Sequence, residues 1–484
     1  LGLHNMSNLS ELLPAGAGAK SATFVATGTI GNGVTVALNS DGTVTAIAGA
    51  LGGMGSPTVF ESASFTWTGS TFDSNANKVV IVYGDAGNST YGTTVVGTVS
   101  GTSISFGTPV VFNSARSDYN AATFDSNLNK VVIAYKDRGN ASYGTAIVGT
   151  VSGTSISFGT SVVFESATTN YTKLTYDPIA NKVVIIYGDG GNSSYGTAVV
   201  GTVSGTSISF GSPVVFETGS TSQIASTFDS DNNKVVIAYK DAGNSNYGTA
   251  VVGTVSGTSI SFGSPAVFLT ANTTSISIVY DTAANKIVIV YQDANNSSYG
   301  TAIVGTVSGT SISFGTSIVF EAASSSNMSA TFDSTANKVV IAYKDQGNST
   351  YGTLIVGTVS GTSISFGSAT IFNTAVTGNI TSTFDSNAGR VVIAYQDGGN
   401  SNYGTAIVYG VTTTNYTSFI GISDEAISSA ASGSVIVQGG VNSKVTSLTI
   451  GTDYYVQANG TLSTTTSTVP AGRALSTTSI LLEG

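Results

Sequence analysis

Phe72-Asp73-Ser74-Asn75-Ala76-Asn77-Lys78-Val79-Val80-Ile81-Val82-Tyr83 returns almost letter for letter as Phe124-Asp125-Ser126-Asn127-Leu128-Asn129-Lys130-Val131-Val132-Ile133-Ala134-Tyr135, 52 residues further on. The aspartate of this stretch recurs at the same interval at Asp177, Asp229, Asp281, Asp333 and Asp385, and the pair Tyr91-Gly92 keeps the period as far as Tyr403-Gly404. Seven units without an insertion or deletion make neighbouring units geometrically equivalent. Each unit reads as four strands. The first is short and ends at Asp73; a polar turn, Ser74 to Asn77, leads to a second over Lys78 to Asp85, whose unbroken apolar run suits burial on both faces. Asp85-Ala86-Gly87-Asn88-Ser89 turns the chain into a third strand, Tyr91 to Val99, and Ser100-Gly101 into a fourth, where Ile104 and Phe106 alternate with serine before Val110-Val111-Phe112. Pro57, Pro109, Pro213 and Pro265 share one position in this fourth strand, which marks it as the outer edge, because proline has no N–H for an inner ladder.

Four antiparallel strands in about 50 residues suit a propeller blade better than a solenoid coil of about 20 to 45 residues. The array's ends point the same way. The seventh repeat stops after its third strand near Val411, and the missing fourth strand stands at the front as Ala50 to Phe60, in register with Thr102 to Phe112. The expectation is therefore an all-β chain: a seven-bladed β-propeller of 52-residue, four-stranded repeats over 50–411, closed by an N-terminal strand. A small flanking β-domain is expected from the segments 1–49 and 412–484 together, since both leave the array at the closing blade.

Composition bounds the function. Only 9% of the residues are charged, glycine numbers 59, and 41% are hydrophobic, the profile of a turn-rich β-protein rather than a disordered chain. A net charge of −10 repels polyanions, and the 16 lysines and arginines form no run that tracks phosphates, so nucleic acid is not an expected partner. Cysteine is absent and the one histidine is His4, which excludes thiolate and histidine-rich metal sites and a cysteine nucleophile. No apolar run approaches the about 20 residues of a membrane helix, and insertion into a membrane is not expected. The start of the chain lacks a basic region followed by a sustained apolar one, so an export signal is expected to be absent or already removed.

The flanks carry Leu13-Pro14-Ala15-Gly16, Gly31-Asn32-Gly33 and Asn39-Ser40-Asp41-Gly42-Thr43-Val44, then Phe419-Ile420-Gly421-Ile422, Gly451-Thr452-Asp453-Tyr454-Tyr455-Val456 and Ala471-Gly472-Arg473-Ala474-Leu475-Ser476. This pattern, over about a quarter of the chain, resembles the small β-modules of tailed-phage virion proteins of tail-fibre and head-decoration type. The resemblance implies assembly and display, other virion proteins as partners of the flanking domain, and a virion location; it brings no catalytic residues.

Candidate chemistry is sparse. The repeated turn at Asp85, Asp137 and Asp241 offers one carboxylate per unit, too few for calcium, and reads as an Asx turn with glycine at positive φ. Glu61, Glu165, Glu217 and Glu321 share one repeat position, which separates them around the array and suits a solvated rim rather than a glycosidase pair. Four arginines, Arg116, Arg138, Arg390 and Arg473, make no cluster of the sialidase kind. Neither enzyme activity nor a cofactor is expected. Variation concentrates between the fourth strand and the next first strand, in Phe65, Trp67, Arg116, Tyr119, Tyr171 and Lys173, groups of the kind that stack on sugars or anchor proteins. These six are the candidate ligand-binding residues. The function expected is a non-enzymatic, virion-associated adhesin for a host-surface glycan or protein, with a structural spacer or a bacterial surface adhesin as the alternatives.

Overall fold

The computed structural model describes residues 20–39, 41–47, 53–411, 418–457, 460–467 and 469–483. They fall into two compact units, one from the chain's two ends and the other spanning Met54–Gly410. Leu13 to Gly16, His4, residues 50–52 and Ser40 lie outside the described residues.

In the repeat unit every second strand is where the sequence places it, as in Lys78–Asp85, and its apolar run is buried on both faces. It pairs antiparallel with the strand before it, Asp73 opposite Lys78, and with the one after it, Asp85 opposite Tyr91. Burial on both faces follows from how the repeats stack. Val80, Val82, Val96 and Phe112 of the first repeat pack against Val131, Ile133, Tyr135, Ile147 and Ile156 of the second, so the core lies between repeats rather than within one. Each such side chain contributes about 1.5–3 kcal/mol of burial, which no repeat obtains alone.

The outer strand corrects the sequence reading. It breaks after Ser103–Phe106 and resumes at Val110, with Pro109 in the gap; Gly107 sits there because an added Cβ would lie 1.9 Å from the carbonyl oxygen of Thr154 in the next repeat. From Val110 the chain runs as one 16-residue strand to Asp125. Its first part pairs with Tyr91–Ser100 and its last part with Lys130–Asp137, so what reads as a loop between two blades is a strand shared by both. Hydrogen bonding thereby links 25 strands into one continuous antiparallel sheet that is not closed into a barrel. A closed seven-bladed propeller of separate four-stranded blades is accordingly not the architecture found. The reason is physical: the variable segments contain no proline and at most one glycine each, and the ladder runs straight through Gly219 in Val214–Asp229, so nothing stops the backbone from continuing it.

The strand expected over Ala50 to Phe60 is described from Gly53 onward, and Thr58–Glu61 pairs with Tyr403–Gly410, Thr405 opposite Val59. Phe60 and Phe65 share a core with Val392, Ala394, Ala406 and Val408, so the first and seventh repeats pack through side chains.

Glu61, Glu165, Glu217 and Glu321 do not form a solvated rim. Each is half-buried and accepts a hydrogen bond from a buried tyrosine hydroxyl, at 3.1 Å from Tyr83 and Tyr187, 3.0 Å from Tyr239 and 2.9 Å from Tyr343. Burial is the main cause that raises the pKa of Glu61, Glu165 and Glu321 above 4.5, with the neighbouring Asp85, Asp189 and Asp345 adding to it; burial likewise raises Asp333 and Asp385 above 3.8. A carboxyl whose folded pKa is raised binds its proton first in the folded state, so it penalises folding above that pKa and ceases to below the unfolded value. Asp41, lowered by its hydrogen bonds to Thr43, opposes the trend. The melting temperature is therefore expected to rise between neutral pH and about pH 5, as raised carboxyls protonate and the net charge of −10 diminishes. Calorimetry across that range checks this, and a falling melting temperature would contradict it.

The other unit interleaves the two ends of the chain. Ser21–Val25, Ser432–Val437, Phe419–Ser423, Thr35–Leu38 and Val44–Ala46 form one five-stranded antiparallel sheet in that order. A second sheet of five takes Val441–Asn442, Ile480–Leu482, Pro470–Ala474, Asp453–Val456 and Leu462–Ser463. One core containing Ala37, Ile422, Tyr454, Val456 and Ile480 joins them.

Candidate functional site

Within each repeat the first strand is interrupted at one position. Between Thr66 and Gly69 the register against the second strand shifts, and the same bulge recurs between Asp118 and Ala121, between Asn170 and Lys173, and through the remaining repeats. The residue that begins it is left-handed every time: Trp67 at φ 49°, Tyr119 and Tyr171 at 54°, Gln223 and Ser275 at 52°, Asn327 at 50° and Asn379 at 46°. For tryptophan and tyrosine this conformation costs about 1–2 kcal/mol. It persists in all seven repeats although the residue changes, and it turns each of these side chains to one shared cavity of about 350 Å³. A bulge redirects a side chain out of the pleat, which is how bulges serve sites.

The cavity is two-sided. Trp67, Tyr119 and Tyr171 stand on three successive repeats with ring centroids 4.2 Å and 5.1 Å apart, and Trp67 is 38% exposed. Across from them stand Gln223, Ser275, Asn327 and Asn379. One residue further along each strand the polarity inverts: Thr68, Asn120 and Thr172 lie beneath the aromatic side, and Ile224, Ile276, Met328 and Ile380 beneath the amide side. Two polar groups here lack partners: Asn120 Oδ1 and Thr172 Oγ1 are buried without a hydrogen bond. The amide side is partly committed, since Gln223 Oε1 accepts from the Ser275 N–H at 3.0 Å and Asn379 Nδ2 donates to the Phe65 carbonyl at 3.0 Å.

Lys173 lines this cavity and also a continuation of about 220 Å³ that begins beneath it. Lys173 is solvent-exposed through the open mouth, while the walls around it desolvate the ammonium enough to hold it below the usual lysine pKa. Among the described residues it has no carboxylate partner.

Four of the six candidate residues, Trp67, Tyr119, Tyr171 and Lys173, thus face one space. The other two do not. Phe65 is fully buried against Phe60 and Tyr83, because it lies before the bulge and its side chain enters the core between repeats. Arg116 is held away from the cavity by Asp118, whose buried carboxylate accepts from Arg116 Nε at 2.9 Å and from Arg138 Nε at 2.6 Å. That bracket supports Tyr119 from the next position, as does buried Lys136, which lies 5.7 Å from the Tyr119 ring centroid and donates to Asn170 Oδ1 at 2.9 Å. Sequence reading missed Gln223, Ser275, Asn327 and Asn379, although each stands one or more periods of 52 after Tyr171.

The repeated aspartates are committed to local turns: Asp73 Oδ1 accepts from the N–H groups of Asn75 and Ala76, and Asp85 Oδ1 from those of Gly87 and Asn88. The left-handed residues of the second turn are Ser89 and Thr90, not the glycine expected. No group of three metal-ligating side chains occurs among the described residues.

No protein-family model and no curated protein matches the chain. Solved structures do. The BP39L lectin from Burkholderia pseudomallei superposes with a TM-score of 0.52 at 9% identity, covering 73% of this chain and 99% of that one. The β-propeller domain of Myceliophteria thermophila Cps50 (Swd1) gives 0.48 at 9% identity, covering 74% and 100%, and a protein of unknown function from Dyadobacter fermentans gives 0.44 at 10%, covering 73% and 98%. At these identities the likeness is one of fold, and what it shows is an all-β repeat protein whose fold is similar to that of a lectin.

Proposed function

We propose that the chain is a non-enzymatic adhesin whose repeat unit binds a saccharide in the cavity where the seven repeats meet. The observation that carries this is the left-handed bulge retained in every repeat while the residue on it varies among Trp, Tyr, Gln, Ser and Asn. A scaffold indifferent to ligand has no reason to hold tryptophan and two tyrosines in a conformation they disfavour. Aromatic faces stack on the apolar faces of sugar rings, while amides and hydroxyls pair with their hydroxyls, and this cavity offers both from opposite sides. Its volume of about 350 Å³ falls at the lower end of small-ligand pockets, about 300–1,000 Å³. A glycosidase would need two carboxyl groups facing the ligand, and no Asp or Glu is among the residues lining this space. The similarity to a lectin fold agrees with the reading. The unit made from the chain's ends is proposed to attach the repeats to a larger particle or surface, for which its two interleaved sheets supply a separate body. The virion setting expected from the flanks draws no support from the comparisons, and the proposal therefore extends to a surface adhesin of either phage or bacterial kind.

The test replaces Trp67, Tyr119 and Tyr171 together by alanine and measures binding to a glycan array beside thermal stability. A loss of binding of about a hundredfold is expected, from about 1 kcal/mol per ring lost. Unchanged binding by a folded variant would remove the site assignment.

A further inference from the structure

The cavity's charge is at odds with the protein's. With a formal net charge of −10, the chain as a whole repels anions, yet the single charged side chain among the cavity's lining residues is the cation Lys173. The equivalent residues in the other repeats are Gly69, Ala121, Ala225, Ser277, Ser329 and Thr381, all small and uncharged. These leave the space that the lysine side chain occupies, and none of them offers it a counter-charge. Lys173 is exposed to solvent inside this space, so its ammonium is free to meet an anion that enters, and a charge-assisted hydrogen bond to a carboxylate is stronger than a neutral one. Lys136, the buried lysine of this region, shows the contrast: it donates to Asn170 and has Asp118 nearby. Lys173 has neither kind of partner among the described residues.

Beside it, Asn120 Oδ1 and Thr172 Oγ1 are buried and unpaired, and both residues line the same space. A lone cation, a free amide oxygen and a free hydroxyl beside a cluster of three tilted aromatic rings describe a ligand with a carboxylate at one end, hydroxyls beside it and a ring that packs on an aromatic face. Long-range attraction cannot supply this selectivity, because the protein's own field has the wrong sign and is screened beyond about 8 Å at physiological salt. The contact must be local.

We propose that the ligand is an acidic saccharide, a uronate or sialate, and that Lys173 binds its carboxylate between the aromatic cluster and the deeper continuation of the cavity. This rests on the saccharide reading above and specifies its chemical class. The wild-type chain, Lys173→Met and Lys173→Arg are titrated calorimetrically with glucuronate, galacturonate and N-acetylneuraminate, with glucose and galactose as neutral counterparts, and with acetate. At least one acidic sugar is expected to bind wild type tenfold or more tighter than the neutral sugars. Lys173→Met removes that preference, and Lys173→Arg keeps most of it. Lys173→Met is also expected to keep the wild-type melting temperature, since the ammonium it removes is exposed and makes no ion pair among the described residues. Neutral and acidic sugars binding alike would overturn the acidic assignment and leave the saccharide reading standing. Lys173-dependent binding of acetate without binding of any sugar would keep the carboxylate site and overturn the saccharide reading. No binding by any of these ligands would overturn both.

Discussion

Gly159→Ala is expected to destabilise the repeat unit by about 2–4 kcal/mol, far more than its position between two short strands suggests. The Cβ it adds would stand 2.0 Å from the carbonyl oxygen of Thr206 and 2.9 Å from that residue's carbonyl carbon. Those are backbone atoms of the next repeat, and they cannot swing aside as a side chain would. Gly159 N–H also donates to Val148 at 2.9 Å, which fixes it from its own side. Relief therefore requires the two repeats to separate, and with them the core that they share: Val132, Ala134, Ala146, Val148 and Phe164 against Val183, Ile185 and Tyr187. Gly153→Ala is the control. Its φ of +61° is left-handed but nothing lies within 4 Å of the added Cβ, so only the conformational cost of about 1–2 kcal/mol applies. Equilibrium denaturation of both variants separates the two effects. Equal losses would show that the contact between repeats does not restrain the backbone at Gly159.

The period that made the repeat visible was legible because each unit solves the same packing problem with the same residues. Val79, Val80, Ile81, Val82 and Tyr83 are buried on both faces, and any substitution there is felt by two repeats at once. The second and third strands therefore read almost to the residue. The strand that carries the site did not. Asn113 to Ala122 lacks an apolar alternation because its backbone changes partner midway, from Tyr91–Ser100 to Lys130–Asp137, and its side chains answer to two environments in succession. That segment reads as a loop and is a strand. The left-handed bulge was equally hidden, since Trp67, Tyr119 and Tyr171 are residues that disfavour positive φ, and propensity points away from the conformation they hold. Only the period itself carried the information. Aligned at 52-residue spacing, Trp67, Tyr119 and Tyr171 fall in one column with Gln223, Ser275, Asn327 and Asn379, and a column that varies between strictly repeated strands is the signature of a shared cavity. Phe65, two residues earlier, shares the chemistry of the variable aromatics, while its place before the bulge gives it to the core.

Phe60→Ala is expected to cost about 3–5 kcal/mol, the range for truncating a buried phenylalanine, and to loosen the array at a particular place. Phe60 is 6% exposed, and its ring lies 5.4 Å from Tyr83, 5.6 Å from Phe65 and 5.6 Å from Phe106 by centroid. It belongs to Thr58–Glu61, a strand of four residues whose register with Tyr403–Gly410 slips between Gly404 and Thr405. So short a ladder holds little by itself; the ring fills the space between the first and seventh repeats and keeps the strand in place. Phe164 occupies the equivalent position in the middle of the array, where its 16-residue strand continues into the next repeat and is held at both ends. Truncating Phe164 should therefore leave a cavity of similar size without freeing a strand. Amide hydrogen exchange distinguishes the two. In Phe60→Ala the amides of Thr58–Glu61 and Tyr403–Gly410 should exchange faster than those of the central repeats, whereas in Phe164→Ala protection there should match the wild-type chain. Retained protection at Tyr403–Gly410 in a folded Phe60→Ala protein would mean that the seventh repeat holds its outer edge without the strand from the front of the chain.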